Sequence, residues 1–357
     1  MRLRVIDFGY VPALRSQAVF HGLAMAFREG DDPILSLVNP EEPYVCVGMF
    51  QEVGLEVDEE YCRAQGLMII RRRIGGGAVY LDRNQMFTHF IYPHDKAPSM
   101  ARNIYPMFIE PVVRTYRDLG IQAEYRPVND IQVAGRKIGG TGAASIEEAT
   151  VVAGSFMFDF DTANMARCLK VPSEKFRDKL KTTLDDYMTT MAKELDEPPT
   201  RDRVKALFMD HCARRLGVEV VEDEPNELEI AAIKQQEKAL GDPNWTYRQG
   251  RKFVDMGVKI AADTHLTESA HKAPGGLIRV HLLEREGKVA DLMLSGDFTC
   301  IPAEGIDEIA TRLAGCELSP EALEAVAARA MEEVGADMPG ISSSDLAEAI
   351  LDAVHKG

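Results

Sequence analysis

Hydrophobic periodicity divides the chain into short strands and a few helices. The stretch ALRSQAVFHGLAMAF places Ala18, Gly22 and Ala26 at i, i+4 and i+8, with Phe20, Leu23 and Phe27 on the neighbouring stripe. A helix with such a small-residue face is expected to lie close against a sheet. DDPILSLVNP and PYVCVGMF are proline-bounded strand patterns, GLMIIRR is an apolar run that ends in arginines, and NQMFTHFIYP alternates with period two. A helix is expected from about Ile104 to Leu119. NDIQVAGRKIGG then predicts two strands joined at Gly135-Arg136, and SFMFDFD a strand with Phe156, Phe158 and Phe160 on one face.

From Pro172 the pattern becomes helical. EKFRDKLKTTLDDYMTTMAKEL and TRDRVKALFMDHCARRLG flank Pro198-Pro199, and the charged VEVVEDEPNE is expected to mark a boundary. Beyond it, GGLIRVHLLEREGKVADLMLSGDF predicts two strands around Glu286-Gly287. Two helices follow, one capped at Ser319-Pro320 and one starting near Ser344-Asp345. The fold expected is α+β: a mixed, largely antiparallel sheet with flanking helices over residues 1–235, then a smaller α/β accessory domain over 236–357.

Composition adds constraints. Forty-one basic residues against fifty-seven acidic ones give a formal net charge of −16, which disfavours nucleic acid and anionic membrane as partners. An anionic ligand must then be captured locally. The six cysteines, Cys46, Cys62, Cys168, Cys212, Cys300 and Cys316, are scattered without zinc-ligand spacing, so reduced thiols, no metal site and a cytoplasmic location are expected. No apolar run reaches membrane-spanning length. His265, Glu268 and His271 in HLTESAH form an ordinary polar segment, because the two histidines are off one helical face and no third cluster joins them.

Two glycine-rich stretches carry candidate chemistry. RRRIGGGAVYLD, residues Arg71 to Asp82, sets three arginines beside three glycines, Gly75, Gly76 and Gly77. Consecutive glycines cost backbone entropy, so they mark either a positive-φ turn or close approach of the backbone to something bulky. Guanidinium groups beside them suit phosphate or carboxylate oxygens. A tight surface turn with solvated arginines fits the same letters. The strand-like AVY follows the glycines and no Lys-Ser or Lys-Thr does, so the stretch is neither a Walker A loop nor a dinucleotide fingerprint; GGTGAAS, which mimics part of that fingerprint, has Ser145 in the last glycine position and the wrong register after a strand. In GRKIGGTGAAS, Lys137 follows a tight turn and could reach across a sheet face; an exposed hairpin lysine is the plain alternative.

Taken together, the arginine–glycine stretch with AVYLDRN and the later NDIQVAGRKIGGT resemble the lipoate-protein ligases, in the class that also holds biotin-protein ligases and octanoyltransferases. The resemblance covers roughly residues 1 to 220, and the region around GGLIRVHLLEREGKVADLMLSGDFTCIP resembles their accessory domain. It implies a biotin/lipoate ligase-like fold and a two-step reaction: lipoate plus ATP, with Mg²⁺, gives lipoyl-AMP, and a carrier lysine then attacks. Carried over by position, Lys137 becomes the catalytic residue. Arg72, Gly75, Gly76, Gly77, Ala78, Val79, Tyr80, Asn129, Asp130 and Lys137 become the ATP site. Arg72, Gly76, Gly77, His89, Lys137 and Gly154 become the lipoate site. The implied partner is a lipoyl carrier: an E2 domain, a glycine-cleavage H protein or an H-like lipoate-binding protein.

The residues agree with that chemistry. A carboxylate is already ionised at pH 7, so the first step needs charge neutralisation and positioning rather than a general base. Asp130 is a candidate acceptor for the amine proton of the second step. The sequence departs from the family at Leu81, where relatives carry histidine after the aromatic residue, and at Val152-Ala153, which replace histidines. Octanoate in place of lipoate stays open. An octanoyltransferase would need a thiolate nucleophile, and YRPVND upstream of the lysine hairpin offers none. A non-catalytic lipoate-binding relative is disfavoured by the retained Lys137, Arg72 and three glycines. For carrier docking the candidates are Arg71, Arg73, Arg102 and the Lys175 to Lys181 helix, with a solvated helix face as the alternative.

Overall fold

The computed structural model describes residues 1–248 and 264–355. The chain begins β1 (Arg2–Val11), α1 (Ala13–Ala26), β2 (Ile34–Pro40), β3 (Tyr44–Val47), α2 (Val53–Glu56), α3 (Glu59–Ala64), β4 (Met68–Arg71), β5 (Val79–Leu81) and β6 (Gln85–Pro93). It continues α4 (Ala101–Asp118), β7 (Glu124–Arg126), β8 (Asp130–Val133), β9 (Arg136–Ile146), β10 (Ala149–Met157), α5 (Thr162–Cys168), α6 (Glu174–Tyr187), α7 (Met191–Glu194) and α8 (Arg201–Leu216). Then come β11 (Glu219–Asp223), α9 (Glu227–Leu240), α10 (Pro243–Thr246), β12 (Thr264–Ala273), β13 (Gly276–Arg285), β14 (Lys288–Gly296), α11 (Gly305–Leu313), α12 (Pro320–Val334) and α13 (Ser343–Val354).

Two compact units result. The first holds Met1–Val47, Val53–Arg72 and Ala78–Thr246; the second holds Tyr247–Gly357 together with Gly48–Glu52 and Arg73–Gly77. The unit division at Thr246 leaves α9, which spans residue 235, wholly in the first. The first unit is built on an eight-stranded sheet in the order β11-β1-β2-β6-β10-β9-β8-β7. Only the pairings of β1 with β11 and with β2 are parallel, so the sheet is mixed and largely antiparallel as expected. A small second sheet, β4-β3-β5, leads into the arginines.

Central strand β6 shows why alternation here does not mean one wet face. All nine of its residues are buried, because helices cover both sides. On one side Phe20 of α1 stacks on His89 at 4.7 Å between ring centroids. On the other, Phe90 meets Phe108 of α4 at 4.8 Å, and Phe156 meets Phe208 of α8 at 5.1 Å. Aromatic pairs at these spacings add to the area they bury.

Three expectations need correcting. The small-residue face of α1 meets a helix rather than the sheet: a Cβ on Gly22 would stand 2.4 Å from the Ile233 Cα of α9, so only glycine permits this approach. Helix α9 is fixed there by an Asn226–Glu229 capping box and by the Arg4–Glu229 and Arg15–Glu237 ion pairs, each 2.6 Å. The charged VEVVEDEPNE is no boundary, since its first half is edge strand β11, in register with Arg2–Ile6. An exposed edge strand carries charge to discourage further pairing, which mimics a linker in sequence. Strand β10 stops at Met157, so Phe158 and Phe160 lie beyond the face that Phe156 occupies.

The second unit is an antiparallel meander, β12-β13-β14, with α11, α12 and α13. Gly276, Ile278, Val280 and Leu282 alternate inward along β13, and the β13–β14 turn is made by Glu286 and Gly287 at φ of 52° and 72°. Its two N-terminal segments are stitched in by backbone bonds. Gly296 N–H donates to the Phe50 carbonyl, Gly76 N–H to that of Phe298 and Met49 N–H to that of Ile74, each at 3.0 Å. Among the described residues, no helix is long and apolar enough to cross a membrane.

Candidate active site

Lys137 owes its direction to a break in register. Along β8 and β9, Asp130 pairs with Gly140 and Ile131 with Gly139, but Gln132 pairs with Lys137, so Ile138 is skipped. Without this bulge Lys137 and Gly140, three positions apart, would face opposite sides of the sheet. With it, the Lys137 ammonium comes 2.7 Å from Asp130 Oδ1, and Tyr187 at the end of α6 donates its hydroxyl to Asp130 Oδ2 at 3.1 Å. A Cβ on Gly140 would stand 3.1 Å from both Cε and Nζ of Lys137, so glycine there leaves the ammonium its room. Thr189 N–H donates to the Lys137 carbonyl at 2.9 Å, fixing the backbone.

The face that Lys137 shares continues across the sheet. Gly142, Ala153, His89, Ser36 and Ile6 lie opposite one another on successive strands, forming one lateral row. Gly140, Gly142 and Ala153 keep partial solvent access in mid-sheet, whereas His89 is 2% exposed. The row is therefore an open, small-residue trough that starts beside Lys137 and ends at a buried imidazole. Burial holds the His89 pKa down to about 3, and its neutral ring bonds Ser36 Oγ through Nδ1 at 2.9 Å.

That neutral histidine sets a pH dependence. Above pH 6.5 both folded and unfolded chains carry it uncharged; below, the unfolded chain takes a proton that the folded one refuses. Stability is expected to fall from pH 6.5 toward pH 3, and His89→Phe, which keeps the stacking on Phe20, should flatten that part of a urea-melt pH profile.

The other candidate residues are distributed as follows. Arg72 donates from Nη1 to the Cys46 carbonyl at 3.3 Å. Asn129 clasps Thr141: its carbonyl accepts from Thr141 N at 2.9 Å and Thr141 Oγ1 at 3.0 Å, and its Nδ2 donates to the Thr141 carbonyl. Ala78, Val79 and Tyr80 enter β5. Tyr80 is buried with Val45, Val57, Met165 and Cys168, and loss of solvent pushes its phenol up to about 12. Gly154 lies on the face opposite to His89 and Lys137, where its missing Cβ accommodates Thr141 Cγ2 at 3.1 Å. Gly75, Gly76 and Gly77 belong to the second unit.

Arg71 is no part of a surface patch, contrary to expectation. It is fully buried, donating to the carbonyls of Trp245 and Thr246 at 2.9–3.2 Å, while Trp245 Nε1 returns a 2.9 Å bond to the Arg71 carbonyl. The partner is a helix end 174 residues away in sequence, a contact no local pattern reveals. Sequence reasoning also missed Gly140 and Tyr187 as neighbours of Lys137, although Gly140 stood within a motif already singled out. A cavity of about 430 Å³ beside β1 and β11 is lined by Asp7, Glu222, Asp223 and Glu224, and four carboxylates make it hostile to an anionic substrate.

The first unit thus sets a bulged lysine strand, paired to an aspartate, in a mixed sheet whose small companion ends at Arg71. Residues 13–213, more than half of the chain, match the lipoyl protein ligase A/B catalytic domain, and the chain belongs to that family. Residues 265–350 match the bacterial lipoate protein ligase C-terminus. The chain is 28% identical to lipoate-protein ligase LplJ of Bacillus subtilis over 72% of its own length and 74% of that protein. It is 27% identical to octanoyltransferase LipM of Kyrpidia tusciae over 69% of its length and 98% of the relative. Among solved structures, a bi-partite lipoate protein ligase from Thermoplasma acidophilum, described with its E2 lipoyl domain, superposes with a TM-score of 0.64 at 25% identity, covering 71% of this chain and 98% of that one. The relatives it matches thus include both lipoate-protein ligases and octanoyltransferases.

Proposed function

We propose that the protein attaches lipoate, or octanoate, to a lysine of a lipoyl carrier domain by way of an acyl-AMP made from ATP, with the second unit as its accessory domain. The observation that carries this reading is the Lys137–Asp130 pair at the mouth of the Gly140–Gly142–Ala153 trough. From Gly142 across β10 to His89 is two strand spacings, roughly 10 Å, the length of an eight-carbon chain. The carboxylate would lie at Lys137 and the dithiolane toward His89.

In the first step a carboxylate oxygen attacks the α-phosphorus and pyrophosphate leaves. Lys137 neutralises charge on both anions, which otherwise repel each other, and Arg72, with Asn129 and the Ala78–Tyr80 stretch, is assigned to the nucleotide. Among the described residues no cluster of three His, Cys, Asp or Glu is arranged to hold a metal, so Mg²⁺ would arrive with the triphosphate as part of the substrate. In the second step the carrier amine attacks the acyl carbon and AMP leaves. The assigned acceptor of the amine proton is Asp130, a reading supported by its contacts with Lys137 and Tyr187 beside the trough.

Transfer from an acyl carrier without ATP is the second reading, favoured by the kinship to LipM-type octanoyltransferases. A thioester route needs an accessible thiolate. Five of the six cysteines are buried, and Cys168, the one nearest in sequence to the lysine hairpin, has its pKa driven far up by its Cys62 neighbour and by burial. The experiment is to mix enzyme with Mg-ATP, lipoate or octanoate, and a panel of carriers, and weigh the carriers. A gain of one lipoyl group that needs ATP supports the ligase; a gain that needs only octanoyl-acyl carrier overturns it.

A further inference from the structure

Beneath Lys137 two neighbouring strands part company. Strands β9 and β10 pair from Ala149 opposite Ile146 as far as Gly154 opposite Thr141, although β10 runs on to Met157 beside Gln85 of β6 and β9 starts at Arg136. Residues 136–140 of β9 therefore have no ladder partner on β10. Three residues beyond Gly154 and Thr141, continued pairing would set Met157 opposite Ile138, and between those two stands the hydroxyl of Tyr116 from α4. It accepts from the Met157 N–H at 3.1 Å and donates to the Ile138 carbonyl at 3.2 Å. One phenol takes the place of one strand-to-strand bond.

Ile138 is also the residue that β8 skips, so neither neighbouring strand supplies it with a ladder partner. A buried carbonyl without a donor is costly, and Tyr116 supplies the donor. The preceding carbonyl, that of Lys137, accepts from Thr189 N–H at 2.9 Å. Successive carbonyls of a strand point to opposite edges, so the two bonds grip the backbone on either side of the bulge. Tyr116 reaches it from the far face of the sheet: its ring is fully buried and tilted against Phe156 at 5.3 Å between centroids, and Phe156, three residues from Ala153, faces away from the trough. Loss of solvent pushes the phenol up, which keeps it a donor. Tyr116 thus cannot touch a substrate held at Lys137; it can only decide where the lysine points.

We propose that Tyr116 is a positioning residue for the first step: its hydroxyl, wedged between β9 and β10, holds the bulge at Ile138 and so aims the Lys137 ammonium at the reacting anions. Without the wedge, the Met157 N–H and the Ile138 carbonyl are free to bond directly, and a strand that zips further loses the register that sets Lys137 beside Gly140. A displacement of about 1 Å at a reacting group costs up to roughly a hundredfold in rate. The step served is that of the ligase reading, on which the inference rests, but the aim of Lys137 can be measured without it.

The test compares the full chain as wild type, Tyr116→Phe and Tyr92→Phe. Phenylalanine keeps the ring packed on Phe156, so the first variant is expected to fold. Tyr92 is the matched control: it is buried against Phe108 of the same helix, 5.0 Å between ring centroids, and its hydroxyl has no hydrogen-bond partner among the described residues. Two quantities are read well below the melting temperatures: kcat and KM of lipoyl-AMP formation from Mg-ATP and lipoate, and the rate at which acetic anhydride labels Lys137, taken by peptide mass against that of exposed Lys175. Tyr116→Phe is expected to lower kcat about tenfold or more with both KM values within about twofold, and to change Lys137 labelling by about threefold or more as the ammonium leaves Asp130. Tyr92→Phe should leave both at wild type. Wild-type kcat and labelling in Tyr116→Phe overturn the proposal, as does a lowered melting temperature with kcat and labelling unmoved, which would make the hydroxyl a matter of stability alone. An equal loss in Tyr92→Phe overturns it too, since any buried phenol of this layer would then serve. If the wild type forms no lipoyl-AMP, the ligase reading falls, and labelling alone decides: a change confined to Tyr116→Phe upholds the wedge, and no change removes it.

Discussion

Lys137→Met is expected to lower lipoyl-AMP formation by about 10³-fold, the cost of removing the charge that the proposed mechanism sets against the α-phosphate. The side chains of Lys137 and Asp130 are 30% and 21% exposed, so their pair contributes at most about 1 kcal/mol to stability. Methionine keeps the length of the stem, and circular dichroism should show a folded protein. An activity loss without unfolding is therefore the signature sought, measured as lipoate-dependent exchange of pyrophosphate into ATP. Lys137→Arg should rescue little, because a planar guanidinium needs the space that Gly140 provides only for an ammonium, 3.1 Å from where a Cβ would sit. Exchange at wild-type rate in Lys137→Met would remove this residue from the first step.

Gly75→Ala is expected to destabilise the second unit. Its Cβ would lie 2.3 Å from the Phe298 carbonyl oxygen and 2.9 Å from Thr299 Cα, both backbone atoms that cannot rotate aside. Overpacking of this kind costs roughly 1–3 kcal/mol. At Gly77 the closest atom to an added Cβ is Asp297 Cβ at 3.8 Å, so Gly77→Ala should leave the melting temperature nearly unchanged. The pair of variants separates two jobs for the glycines. If Gly75 serves only to clear space for nucleotide, Gly75→Ala will raise the KM for ATP without moving the melting temperature; if it serves backbone packing, the melting temperature will move first.

The contrast between Gly75 and Gly140 shows what could be read from the letters. Three consecutive glycines announced close approach of the backbone to something, and the letters left open what it was; Gly75 presses on Phe298, 223 residues on in sequence, which no local pattern encodes. Lys137 was legible because its hairpin was, although the turn falls one residue earlier than expected, on Ala134 and Gly135 at φ of 49° and 79°, and Arg136 already opens β9. The bulge at Ile138 was not, since nothing in KIGG states which residue drops out of register. Strand β6 was legible as a strand, yet its burial on both faces came from α1, α4 and α8, whose placement is tertiary. Edge strand β11 was lost because five residues with three carboxylates look like solvent-exposed chain until β1 is found beside them.

The buried Arg71 has a practical consequence. Trp245, bonded to the Arg71 carbonyl, is the single tryptophan of the chain. Its indole therefore sits one peptide away from Arg72, and the intrinsic emission of the native protein, with no dye or label attached, reports on the polarity and motion of the segment that leads from β4 into the arginine–glycine stretch.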